Sequence, residues 1–102
     1  MSTKKRGAKA VLESITGPLT LGKLMASIRQ GEEMSQTEFA AKLGISKSHL
    51  CDIEQDRKHV SPERTARFAR LLGYSEAQFV RLTLQGMLDE AKIPMTVSVK
   101  AA

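Results

Sequence analysis

Within residues 35–55, two helix starts and one helix stop fall so close together that only two short helices joined by a tight turn can fit. Ser35 with Glu38 three positions later makes a capping box, Phe39, Ala40 and Leu43 form a buried face, and Gly44 supplies the left-handed stop. The first helix is therefore only about eight residues long. Ile45 and Ser46 follow at once, and Ser46 caps a second helix that runs to about Gln55 with Leu50 and Ile53 turned inward. Helices this short are marginal in water on their own. Both need a larger helical body to hold them.

The flanking sequence provides that body. Leu21, Leu24, Met25 and Ile28 after Thr20 lie at i, i+3, i+4, i+7, one apolar stripe of a helix ending near Gln30 and Gly31. Ser61, Pro62 and Glu63 give a cap, a proline at the first helical position and an acid in the first turn. They open a helix with Ala66, Phe68, Ala69, Leu71 and Leu72 that Gly73 ends. Ser75 with Gln78 forms another capping box and starts a fifth helix. Its apolar positions Phe79, Val80, Leu82, Leu84, Met87, Leu88 and Ala91 exceed one face and imply a second buried contact. After Lys92 the period drops to two, with Ile93, Met95, Val97 and Val99 alternating with Pro94, Thr96, Ser98 and Lys100, which predicts a short strand. The chain offers no second strand to pair with it. The expected fold is all-α, five helices with a short C-terminal β-strand. The expected organisation is a basic tail over 1–19, a helical domain over 20–92, and a strand or tail over 93–102 for dimerisation or partner contact.

A chain of 102 residues holds one domain, which excludes a multidomain enzyme. Its 41% hydrophobic and 26% charged residues suit a folded protein. Phe39, Phe68, Tyr74 and Phe79 are the only aromatics, which argues for an aliphatic core and against an RNA platform of stacked rings. Cys51 stands alone, so no intrachain disulfide can form and a reducing compartment is the natural setting. No apolar run is long enough for a membrane span, and Lys4, Lys5 and Arg6 are not followed by a signal-type block, so the expected location is cytoplasmic. The net charge of +5 favours a polyanionic partner. Residues 1–34 carry six cations and three anions, 35–74 seven and five, and 75–102 three and three, so the polyanion is expected at the amino-terminal two thirds.

Residues 35–57, SQTEFAAKLGISKSHLCDIEQDR, resemble the helix-turn-helix of the Cro and lambda-type repressor (XRE) family without a gap, and a weaker likeness extends from about Leu21 to Leu88. The resemblance implies a five-helix lambda-repressor-like DNA-binding domain whose recognition helix enters the major groove. Ala40 lets the two helices approach, and Ile45, Leu50 and Ile53 plug the recognition helix into the core. The sequence departs from the family at Gln55 and Asp56, where Asn-Gly is common; Asp tolerates the left-handed turn this requires. The resemblance also implies that Arg29 pairs with Glu54 to tie the recognition helix to the bundle.

On a helical wheel the direction opposite Leu50 and Ile53 is occupied by Ser48, Gln55 and Asp52, with the long Lys47 off-centre at the leading end. In the resembling family, positions matching Lys47, Ser48 and Asp52 contact base edges and that matching Gln36 supports a phosphate. Lys47 can donate to guanine O6 or N7, Ser48 can serve either way, and Asp52 can accept from cytosine N4. For Asp52 the alternative is a role in solubility or in ordering Lys47. Arg57, Lys58 and His59 follow the helix where cations commonly grip phosphate, and Thr37 and Gln55 join this backbone set; the alternative for the basic run is a solvated loop. Lys4, Lys5, Arg6 and Lys9 form either an arm that wraps the duplex or a tail without specific contacts. Leu84, Met87, Leu88, Ile93, Met95, Val97 and Val99 are the expected dimer or partner contact, with the strand pairing to its own copy across a two-fold axis.

His49, Cys51 and His59 do not make a metal site, because i and i+2 on a helix do not share a face and no fourth ligand is suitably spaced. Ser48 beside His49, or Cys51 alone, lacks the third member and oxyanion donors of a nucleophile. The expectation is no enzyme, no metal and no cofactor. Two functions of different class remain: a homodimeric sequence-specific repressor on a palindromic operator, and an antitoxin resembling those of HigA type that neutralises a toxin protein and represses its own operon. An inert helical domain is the third reading.

Overall fold

The structure, a computed structural model, describes residues 18–102, and these described residues contain five helices: α1 (Leu21–Gly31), α2 (Gln36–Leu43), α3 (Lys47–Glu54), α4 (Pro62–Leu72) and α5 (Glu76–Glu90). The basic segment with Lys4, Lys5, Arg6 and Lys9 lies outside the described residues. The helices group into two compact units, one ending at Arg57 and one beginning at Lys58.

In the first unit each helix begins where a hydroxyl can take its orphan amides. Thr20 Oγ1 accepts from Lys23 N at 3.1 Å, Ser35 Oγ from Glu38 N at 3.1 Å, and Ser46 Oγ from His49 N at 3.0 Å. At Ser35 the box is complete, since Ser35 N donates back to Glu38 Oε1 at 2.9 Å. Gly44 closes α2 at φ +73°, and the next amide, of Ile45, returns to Ala40 O. Leu21, Leu24, Met25 and Ile28 of α1, Phe39, Ala40 and Leu43 of α2, and Leu50 and Ile53 of α3 are all buried. Each large apolar side chain so buried contributes roughly 2 kcal/mol. Ile45 is only half-buried, so Leu50 and Ile53 carry most of the inward face of α3.

The second unit is a helical hairpin. Ser61 caps α4 with Pro62 at its first position, and Gly73 at φ +76° ends it. Ser75 caps α5 through Gln78 N, but the expected box is half-made: Gln78 turns its side-chain oxygen to Arg81 Nε at 3.2 Å. Val60, Phe68, Ala69, Phe79 and Leu82 are buried, together with Thr65 and Thr83, whose hydroxyls bond each other at 2.9 Å and so satisfy both.

Residues 93–99 form no strand, and none occurs among the described residues. Pro94 has no amide to give a ladder, and the amides of Ile93, Met95 and Val97 are already used. Ile93 N donates to Leu88 O, Met95 N to Ile93 O, and Val97 N to Gln85 Oε1 at 2.9 Å. Gln85 Nε2 in turn donates to Met95 O at 2.9 Å, so one side-chain amide on α5 does what a neighbouring strand would have done. The alternation reflects an extended segment lying along a helix, with Val97 and Val99 half-buried and Met95 65% exposed.

Candidate nucleic-acid interface

The inner face of α3 is fixed by charge as well as by packing. Arg29 Nε and Nη2 donate to Glu54 Oε2 and Oε1 at 2.8 and 3.1 Å, and Gln36 Nε2 donates to Oε1 at 3.0 Å. Glu54 thus joins α1, α2 and α3 through one carboxylate, with its side chain 3% exposed and that of Arg29 16%. Arg29 also closes the turn between α1 and α2: its Nη1 donates to Met34 O at 3.1 Å while its own carbonyl accepts from Met34 N.

A second tie joins the end of α3 to the start of α1. Asp56 adopts φ +57°, filling the left-handed place after the helix. Its carboxylate then accepts from Thr20 Oγ1 at 2.8 Å and Gly22 N at 3.2 Å, meeting a first-turn amide where the dipole of α1 is positive. Gly22 lies against the Ile53 and Glu54 carbonyls, and a methyl group there would come within 2.9 Å of Glu54 O. Sequence reasoning missed both roles. Asp56 was visible only as a turn residue, because a side chain capping a helix 34 positions away is a tertiary fact.

With its inner face held, α3 offers its other residues outward. Lys47, Ser48 and Gln55 are exposed, and His49 and Cys51 are half-buried. Asp52 is half-buried, with Oδ1 accepting from Arg57 Nε at 2.9 Å. Arg57 is held above its ordinary pKa first by that bond and next by its contact to the Cys51 thiol, so it is cationic at any working pH. Thr37 is exposed at the start of α2, and Gln36 is half-buried with its amide turned to Glu54. In the second unit Lys58 is exposed, and His59 pairs through Nε2 with Glu90 on α5. The basic run is therefore already engaged within the protein: Arg57 faces the Asp52 carboxylate and His59 that of Glu90.

Of the expected partner surface, Met87, Ile93 and Met95 are exposed, and Leu84, Leu88, Val97 and Val99 are half-buried. Among the described residues no three His, Cys, Asp or Glu side chains come close enough to hold a metal ion, and no helix is long and apolar enough to cross a membrane.

Two short helices set by a glycine turn, the second outward-facing and pinned at its far end, match a known family: residues 20–82 fit the helix-turn-helix domain. The chain belongs to the helix-turn-helix family. It is of the DNA-binding Cro/C1 type, with α2 and α3 as the helix-turn-helix pair. The immunity repressor protein of Bacillus phage phi105 is 32% identical over 62 residues. The match covers 61% of this chain and 43% of that relative, so this helix-turn-helix protein spans less than half of it. No solved structure matches the chain.

Proposed function

We propose that the protein is a sequence-specific transcriptional repressor that binds a two-fold operator as a homodimer. The observation that carries this reading is the exposed pair Lys47 and Ser48 at the leading end of a helix whose other end is pinned by Glu54 and Asp56. A reading helix must be rigid, because bidentate recognition of a base edge tolerates little displacement. Lys47 supplies a donor for guanine O6 or N7, and Ser48 a hydroxyl for either class of edge. Gln36, Thr37, Gln55, Arg57 and Lys58 serve phosphates, Gln36 with its amide anchored on Glu54. His59 belongs to this set only to the extent that a phosphate competes with Glu90.

One helix-turn-helix module buries a modest area on DNA, so two half-sites about one helical turn apart are needed for affinity. The exposed Met87, Ile93 and Met95, with Leu84, Leu88, Val97 and Val99 around them, form the surface assigned to the second copy. Repression is the function named for the phage relative, and it is extended here to this chain. An antitoxin would need a segment that covers its toxin by strand addition or by folding on it. Residues 93–99 form no strand, and the basic segment lies outside the described residues.

Sedimentation of the free protein and of its complex with an enriched duplex tests the reading. Two protomers per duplex, on a sequence with dyad symmetry, are expected. One protomer on an asymmetric site would remove the dimer and the palindrome together.

A further inference from the structure

Asp52 is an unusual residue on a helix offered to DNA, because a carboxylate there repels phosphate unless a base donor or a cation compensates. The compensating group is Arg57. Its Nε donates to Asp52 Oδ1 at 2.9 Å, its Nη2 donates to Cys51 Sγ at 3.5 Å, and its backbone amide returns to Asp52 O at 2.8 Å. The guanidinium is thus held along its Nε–Nη2 edge. Its outer end, with both Nη1 protons and the remaining Nη2 proton, is left in the two-pronged arrangement that grips a phosphate. The exposures agree: the Arg57 side chain is 55% exposed and that of Asp52 23%. A solvated arginine ordinarily loses rotamer freedom when it clamps a phosphate; one already held by two acceptors loses less.

We propose that Asp52, with the Cys51 thiol beside it, is a positioning residue that fixes Arg57 to clamp a backbone phosphate, and that Asp52 reads no base. This rests on the DNA-binding reading above. It turns on a sign. A carboxylate that merely sits near DNA weakens binding, so removing it tightens every complex. A base reader, when removed, relaxes preference at one base pair. A positioning carboxylate, when removed, weakens cognate and non-cognate complexes alike and leaves the preferred sequence unchanged.

The test is a cycle of Asp52→Ala, Arg57→Ala and the double variant, each titrated with a cognate and an unrelated duplex. Asp52→Ala is expected to weaken both complexes about 2- to 10-fold, with no further loss in the Arg57→Ala background. Asp52→Asn, which keeps an acceptor oxygen, should recover part of the loss, and melting temperatures of all variants should stay near the parent's. The Arg57 Nε–H resonance of the free protein supplies a reading that does not depend on DNA: it should be resolved in the parent and lost in Asp52→Ala. Uniform tightening on all DNA, or a relaxed base preference with additive losses, would overturn the proposal while leaving the DNA-binding reading intact. A parent protein that binds no duplex would remove that reading and the proposal with it, even with the Nε–H resonance present.

Discussion

The two units solve the same problem, holding short helices in place, with different chemistry. In the first, α2 and α3 have eight residues each, and polar ties finish what packing begins. Glu54 collects Arg29 and Gln36, and Asp56 collects Thr20 and the Gly22 amide. In the second, α4 and α5 have 11 and 15 residues, and a hairpin of Phe68, Ala69, Phe79 and Leu82 needs only the Thr65–Thr83 bond inside it. Apolar contact is tolerant of small shifts, whereas directional bonds to a buried carboxylate fix an angle. The unit that carries the helix-turn-helix is the one built on direction.

That contrast can be broken most forcefully at Arg29. Arg29→Ala leaves Glu54 buried with Gln36 alone and should cost about 3 kcal/mol or more in urea melts, since an uncompensated buried charge is the expensive state. The Arg29→Ala, Glu54→Ala double variant should lose less than the sum of the singles. Small additive losses would mean that packing alone sets α3.

Two glycines sharpen the same contrast with opposite signs. A methyl group at Gly22 meets backbone carbonyls that cannot move away, and Gly22→Ala should destabilise by about 1–3 kcal/mol. At Gly86 it meets only the His59 ring, at 3.5 Å, so Gly86→Ala should stabilise by roughly 0.5–1 kcal/mol through helix propensity. Equal effects at the two positions would erase the distinction between the units.

The smallest effect is expected at Gln85. Gln85→Ala releases residues 95–97 from α5, and the Val97 amide should exchange faster with solvent while the global melting free energy changes by no more than about 1 kcal/mol. Unchanged Val97 exchange would show that side-chain packing, not the amide clasp, holds the segment.

The helices were legible because their signals are local. Ser35, Ser46, Ser61 and Ser75 cap where the sequence places caps, and Gly44 and Gly73 stop where it places stops. Period-two alternation at 93–99 misled, because alternation records an extended backbone and says nothing about what satisfies its amides. Here Gln85 satisfied the Val97 amide, and backbone carbonyls those of Ile93 and Met95. For the site, the wheel placed Ser48, Gln55 and Asp52 outward, with Lys47 off-centre, but could not show that Arg57, five residues beyond Asp52, folds back onto it. Nor could it show that Asp56 caps α1. These ties depend on where the chain returns, which no helical period encodes.

The central claim is that α3 reads bases through Lys47 and Ser48, and selection of duplexes from a random pool tests it most directly. The parent should enrich one sequence, and Lys47→Ala and Ser48→Ala should each lose roughly 1–3 kcal/mol on it and relax one or two base pairs per half-site, with little change on unrelated DNA. A parent that enriches nothing, or a double variant that enriches the parent's sequence unchanged, would contradict the account.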